Sequence, residues 1–316
     1  MARQRQIDLN KVRTISIRSR ASKVALADFA RVYEPRREKF AAFVRSLPNI
    51  LVAADLVRFA DEIVRARRRG KPVIVLIGAH VVKVGLSPLL IDLLRKKIVT
   101  CIGMNSAAAI HDVETALHGT TSEDVERYLA DGRFGMVRET GEFINSALKR
   151  TYASGDEGYG ETLGKALQKA PHRKLSILST CYSLGIPATV HAAIGTDIIH
   201  QQPSMSGAAT GELSFRDFKV LCNAVKELRG GGVVINIGSA VILPEVFLKA
   251  LTVARNLRYK ASGFITANFD MIQHYRPRMN VVHRPTKHGG KGYLFTGHHE
   301  IMIPLLCAMV KSRLAK

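Results

Sequence analysis

The amino-acid sequence predicts an α/β fold on a Rossmann-like parallel sheet, preceded by a basic helical extension. Three observations point there. Apolar runs of strand length recur, as in residues 73–77 and 233–237, and such runs suit strands buried on both faces. Each run is followed by a small-residue turn and a stretch of helical spacing, the alternation of a parallel sheet with crossover helices. Hydrophobic residues make up 47% of the 316, enough apolar material to offset the entropy of ordering a core, so disorder is excluded.

The elements follow in order. Residues 51–64 place apolar side chains at helical spacing, and this helix runs out at Gly70. Residues 73–77 form the first strand, and Gly78-Ala79-His80 turns the chain. Ser87-Pro88 opens a helix through Lys97, and residues 98–102 make the next strand. Asn105-Ser106 then leads into a small-residue helix from Ala107. Later come a helix over 175–184, a strand over 188–194, a helix over 214–229 and a strand over 233–237. A helix over 244–257, a strand over 262–267 and a closing helix over 300–313 complete the alternation. Residues 121–170 read as helical and more polar: an insertion covering one sheet edge, or a subunit contact. We divide the chain into an extension, 1–70, and an α/β domain, 71–316.

Charge and cysteines narrow the class. Lys and Arg number 47 against 26 Asp and Glu, a formal excess of +21. Residues 1–70 hold +10 of it, with Arg13, Arg18, Arg20 and Lys23 in one cluster and Arg65, Arg67, Arg68 and Arg69 in another. Such a surface attracts nucleic acid or other polyanions without base reading. A plain solvated face is the favoured reading, because no nucleic-acid motif is present and aromatic residues are only 6%. No apolar run reaches the length that spans a bilayer. The start MARQRQIDLN has no secretory pattern. Cys101, Cys181, Cys222 and Cys307 lie in apolar stretches without metal spacing, which implies free thiols and a cytoplasmic protein.

Open parallel sheets bind ligands beyond the carboxyl ends of their strands. Residues 78–80, 104–106, 195–197, 238–240 and 266–270 are therefore the first candidates. Neither G-x-G-x-x-G after the first strand nor G-x-x-x-x-G-K-[ST] occurs, so the ordinary dinucleotide and P-loop fingerprints are absent. By itself Gly230-Gly231-Gly232 reads as a helix end and turn. His298-His299-Glu300 lacks the spacing of a metal site. His80 and His111 suit either packing or acid–base work, while His191 lies inside a strand.

From residue 70 onward the sequence resembles deoxyhypusine synthase. The segments are Val84-Gly-Leu-Ser-Pro-Leu-Leu, Thr100-Cys-Ile-Gly-Met-Asn-Ser-Ala-Ala, Gly195-Thr-Asp-Ile-Ile, Leu228-Arg-Gly-Gly-Gly-Val-Val, Thr266-Ala-Asn-Phe-Asp270 and Ile301-Met-Ile-Pro-Leu-Leu. The resemblance implies an NAD-binding Rossmann-like core and a homotetramer with sites at subunit interfaces. It also implies a transferase that oxidises a polyamine and holds the product as an imine on a lysine. It places NAD near Gly85, Ser87, Asn105, Ser106, Ala107, Asp112, Gly230, Gly231, Gly232, His298 and His299. Asp197 and Asp270 fall where the family anchors the amine, and Asn236 falls where it has a histidine. The nucleophile motif Ser-Trp-Gly-Lys is absent; Lys287, His288 and Lys291 occupy its region, with Lys291 preferred as nucleophile. The family's paired glutamates read Ile110-His111 here, so fewer carboxylates and more arginines favour an amine that also carries a carboxylate. A nucleotide-binding protein without that chemistry, or a polyanion-binding protein, is the alternative.

Overall fold

The computed structural model describes residues 13, 26–35 and 39–315. The chain divides into two compact units, Met1–Ala54 and Asp55–Lys316. Arg18, Arg20 and Lys23 of the first basic cluster lie outside the described residues. Within the first unit, helix α1 (Phe40–Ser46) carries Phe43, whose ring meets Tyr33 edge-on.

In the second unit six parallel strands alternate with helices. Helix α2 (Leu51–Arg68) leads into β1 (Val73–Ile77), whose residues are all buried. A short helix α3 (Ala79–Lys83) and α4 (Ser87–Arg95) carry the chain to β2 (Cys101–Asn105). The crossover to β3 (Ala188–His191) is long and wholly helical in character. It contains α5 (Ser106–His118), α6 (Val125–Leu129), α7 (Arg138–Ser154), α8 (Tyr159–Ala166) and α9 (Ile177–Leu184). Residues 121–170 are thus the middle of this β2–β3 connection. Next come α10 (Gly207–Val225), β4 (Val233–Ile237), α11 (Ile242–Asn256) and β5 (Ile265–Asp270). Short helices α12 (Tyr275–Pro277) and α13 (Arg284–Thr286) flank a π-helical stretch, Arg278–His283. Strand β6 (Lys291–Thr296) and α14 (His299–Leu314) close the fold.

The strand order is β3-β2-β1-β4-β5-β6, every pair parallel. That is the doubly wound Rossmann order, with its switch point between β1 and β4. One core packs Ile74, Leu76 and Val234 of the sheet against Leu221, Leu243, Phe247 and Leu251 of α10 and α11. Elsewhere Phe59 of α2 meets the rings of Phe269, Tyr293 and Phe295 within 6 Å. Burying a large side chain of this kind contributes about 1.5–3 kcal/mol.

The strand expected over 188–194 ends at His191, and three further expectations about elements change. The strands expected at 98–102 and 262–267 lie at Cys101–Asn105 and Ile265–Asp270. Ile98 and Val99 are buried in the approach to β2 without pairing in it. The segment around Lys291, where the sequence analysis places no strand, forms the edge strand β6. No helix among the described residues is long and apolar enough to cross a membrane.

Candidate functional site at the carboxyl edge

Parallel strands give the sheet two chemically different edges, and at the carboxyl edge two buried side chains, Asn236 and His299, keep a polar atom without a partner. At the switch point Gly78 N–H donates to Ile237 O (2.9 Å) and Gly238 N–H to Phe269 O (3.0 Å). A methyl group on Gly78 would lie 2.1 Å from the Gly238 carbonyl oxygen, so only glycine fits that approach. Gly238 itself has φ +64°, a region that favours glycine. Against it lies His299, buried at the start of α14.

The tautomer of His299 follows from its partner. Nε2 meets the Phe269 carbonyl oxygen at 3.2 Å, and a carbonyl only accepts, so Nε2 carries the hydrogen. Nδ1 is then a buried acceptor with no partner. Burial pushes this imidazole below its ordinary pKa, which keeps it neutral. The neighbouring His80 ring lies 5.7 Å away, centroid to centroid.

Beside it an amide chain ties three strand ends together. Asn236 Nδ2 donates to Ser239 O (2.9 Å) and to Asn268 Oδ1 (2.7 Å). Asn268 Nδ2 donates to Gln273 Oε1 (2.7 Å), and Gln273 Nε2 to Phe295 O (3.0 Å). Both hydrogens of Asn236 are used, while its Oδ1 is buried without a donor. Asp270 ends β5 and accepts from Met271 N–H at 2.8 Å.

These features fit NAD. Two glycine turns expose backbone where a diphosphate would approach, and α5, α11 and α14 begin at this edge with N–H groups pointing outward. Asn236 Oδ1 and His299 Nδ1 lack the donors that a carboxamide or a ribose hydroxyl would supply.

A cavity of about 210 Å³ opens beside the carboxyl end of β2. Ala107, Ile110, Phe134 and Ile198 form apolar walls; Lys83, Glu114, Glu123 and Asp197 supply charge, and His111 an imidazole. Asn105 caps α5 through its Oδ1 (Ala108 N–H, 3.0 Å), and the next residue, Ser106, donates its hydroxyl to Asp197. Asp197 thus joins the β3–α10 connection to the start of α5.

His111 and Glu114 line the same cavity and are joined through Thr121 in a three-residue relay. The Thr121 hydroxyl donates its one hydrogen to Glu114 Oε2 (2.5 Å), so its oxygen accepts from His111 Nδ1 (2.6 Å). The ring's other nitrogen, Nε2, has no hydrogen-bond partner among the described residues. Burial would raise the Glu114 carboxyl, but contacts with His111 and Thr121, and then Thr140, hold it below its ordinary value. Glu114 is therefore an anion at neutral pH, placed to stabilise a cationic His111.

The sequence-predicted residues divide between the two edges. Ser106, Ala107, Asp197, Asn236, Asp270 and His299 reach the carboxyl edge, as does exposed His298, 3.7 Å from Glu300. Gly85 (φ +76°) and buried Ser87 make the turn into α4 on that side. Gly230, Gly231 and Gly232 lie instead before β4, at the amino edge, where Gly230 and Gly231 have φ +67° and +112°. They form a turn closed by Gly230 N–H to Ser262 O (3.0 Å). Lys287 and His288 are exposed before β6 at the same amino edge. Lys291 is the first residue of β6, with its ammonium 3.9 Å from Asp55 and 4.6 Å from the Tyr293 ring. Within one chain these residues cannot join Asp197 and Asp270, because the strands run their full length between them. Asp112 is buried and caps α9, accepting from Ser176 Oγ (2.6 Å), Ile177 N–H (2.8 Å) and Leu178 N–H (3.1 Å). Burial nevertheless pushes its carboxyl up to about 6.

Sequence reasoning missed Lys83, Glu114, Thr121 and Glu123. His111 and Glu114 sit three residues apart on one helix, a spacing that places them on one face; for Lys83 the sequence carries no such signal.

Residues 57–147 match the family described as arginine dihydrolase ArgZ-like, C-terminal, Rossmann fold. No match was found among curated proteins. Among solved structures, a putative deoxyhypusine synthase from Entamoeba histolytica is similar with TM-score 0.54 and 10% identity, covering 89% of this chain and 96% of that one. AgrE in ternary complex with ornithine and NAD+ is similar with TM-score 0.52 and 14% identity, over 83% of this chain and 33% of that one. ArgZ, an arginine dihydrolase of the ornithine–ammonia cycle in cyanobacteria, is similar with TM-score 0.50 and 17% identity. The chain thus spans about a third of the length of ArgZ and AgrE. At such identities the likeness concerns the fold, a Rossmann-type α/β unit.

Proposed function

We propose that the chain is an NAD-dependent enzyme that oxidises an amine, and that the amine also carries a carboxylate. The observation that carries this reading is the His111–Thr121–Glu114 relay on a charged cavity at the carboxyl edge. Supporting it, one solved structure of similar fold holds both ornithine and NAD+.

The cofactor supplies a hydride acceptor when bound, held by Gly78, Gly238, Asn236, His299 and the start of α5. Asp197 and Glu123 attract the substrate ammonium, and Lys83 attracts its carboxylate. His111 Nε2 takes one proton from the ammonium, and Glu114 stabilises the imidazolium through Thr121. With NAD bound, the adjacent C–H bond would give up its hydride to the cofactor, leaving carbon and nitrogen doubly bonded. Water attacks that imine, giving a carbonyl compound and ammonium. Apolar Ile110, Phe134 and Ile198 limit water in the cavity until then.

Imine transfer to a lysine is the less supported ending. No lysine among the described residues is buried, and burial is what would lower an ammonium's pKa and free its lone pair for imine formation. Lys83, the lysine on this cavity, is exposed as well.

Mixing the protein with NAD and ornithine or related amino acids and following NADH tests the reading. We expect turnover that falls about 100-fold or more in His111→Ala, in line with loss of a general base, with NAD affinity kept. Turnover of spermidine but of no amino acid would overturn the substrate class. Borohydride trapping of an adduct on Lys83, Lys287 or Lys291 would restore the transferase ending.

A further inference from the structure

We propose that the amino edge of the sheet is a docking surface for a nucleic-acid duplex, held through its sugar–phosphate backbone without reading of sequence. A parallel sheet brings the approaches to its strands to one edge, and those of β2, β1, β4, β5 and β6 neighbour one another in that order. Residues 95–100, 66–72, 226–232, 255–264 and 284–290 make up these approaches. They hold fourteen Lys and Arg against one acidic residue, Glu227. The loops that leave the strands at the other edge, 192–206, 238–241, 271–274 and 297–298, hold no Lys or Arg.

The approaches touch one another. Thr100 N–H donates to Val73 O and Val233 N–H to Pro72 O, both at 2.9 Å, and Ile265 N–H donates to Gly232 O at 2.8 Å. A methyl group on Gly263 would lie 3.7 Å from the Gly289 carbonyl oxygen and 3.8 Å from Gly230 Cα. Five strand ends about 4.8 Å apart span about 19 Å, a length over which a duplex presents about eleven backbone charges.

Two observations separate this face from ordinary solvated charge. Of the fourteen cations, only Lys96 and Lys226 meet a carboxylate within 4 Å among the described residues. Arg69, Lys97, Arg229, Arg258, Lys260 and Lys287 are exposed. Like charges gathered in this way repel one another, and a polyanion relieves the repulsion. The second observation is backbone strain. Lys97 (φ +53°) and Arg258 (φ +66°) hold left-handed positions that favour glycine, so cations are kept there against a local cost, a pointer to function. Helix dipoles account for cations in last turns, such as Arg67, Arg68 and Arg95. They do not account for Lys71 and Lys260, which lie beyond the ends of α2 and α11. A membrane surface is less suited, because the exposed large apolar side chains in these segments are Leu257 and Tyr259, both in one approach.

Fluorescence anisotropy of labelled 20-base-pair DNA and RNA duplexes, titrated with the full chain, tests the surface. We expect saturable binding of one or both that weakens steeply between about 50 and about 200 mM salt. Lys97→Gly with Arg258→Gly removes two cations and relieves the backbone, so the fold is kept. This pair should weaken binding about tenfold and make the slope of log affinity against log salt shallower by about two. Lys260→Gln with Lys287→Gln should act in the same direction. Arg127→Gln with Arg138→Gln removes two exposed cations of α6 and α7, on the side of the carboxyl-edge cavity; it should leave binding within about twofold of wild type. Equal weakening by this last pair would reduce the binding to net charge and overturn the proposal. Binding unchanged by both amino-edge pairs, no binding of either duplex, or capture by phosphatidylserine vesicles alone would also overturn it. NADH formation belongs to the opposite edge, so the two proposals fail separately.

Discussion

At the two edges of the sheet, the residues that the sequence singles out are of similar type and differ in whether their hydrogen bonds are complete. At the amino edge the glycines of 230–232 close a turn, and Lys291 meets Asp55 and an aromatic ring. At the carboxyl edge Asn236 Oδ1 and His299 Nδ1 are buried without donors, and His111 offers a free Nε2. Glycine-rich and basic composition therefore does not mark a cofactor site. Unmet polar capacity beyond the carboxyl ends of the strands does.

The sharpest way to break this comparison is a methyl group at each edge. Gly78→Ala places a side chain 2.1 Å from the Gly238 carbonyl; it should abolish NAD binding and cost several kcal/mol of stability, measured by urea unfolding. Ala at Lys287 and Lys291 together should leave NADH formation within about twofold of wild type, since both residues lie at the other edge.

Asp112→Ala should come next in size. It leaves the Ser176 hydroxyl and two backbone N–H groups at the start of α9 without their acceptor. A loss of about 2–3 kcal/mol in chemical unfolding is expected. Thr121→Val should cost about tenfold in turnover, less than removal of His111, because it breaks the relay and keeps the base.

Buried titratable groups give the pH dependence. His191 is lowered to about 3 by burial; its stability contribution is present above its ordinary value of 6.5 and is lost as pH falls below it. Asp217 is raised to about 8, so the folded state binds the extra proton and stability declines as pH rises from about 4 to about 8. Between about pH 6.5 and pH 8 the decline belongs to Asp217 rather than to His191 or Asp112. Asp217→Asn should flatten that part of the melting-temperature profile; an unchanged slope would show that Asp217 titrates in its ordinary range.

The alternation of elements was legible in the sequence because buried parallel strands need continuous apolar runs, as β1 and β4 show. Strand ends were less legible: Ile98 and Val99 extend the apolar run of β2 into a turn that is buried without pairing. Strand β6 was hidden because it is an edge strand opening on Lys291 and Gly292; the alternation of buried Tyr293 and Phe295 was its one signal. Part of the site was legible through position alone, as for Ser106, Asn236 and His299. The relay was not, since Thr121 reaches His111 only through the fold of the turn after α5. Asp112 misled because a carboxylate that caps a helix and one that holds a ligand look alike in sequence.

The central claim is that the carboxyl edge binds NAD. Calorimetric titration of NAD into the wild type and into the Lys287→Ala, Lys291→Ala double variant tests it most directly. Saturable one-site binding with equal affinity in both is the predicted result. No binding to the wild type, or binding lost in the double variant, would contradict it.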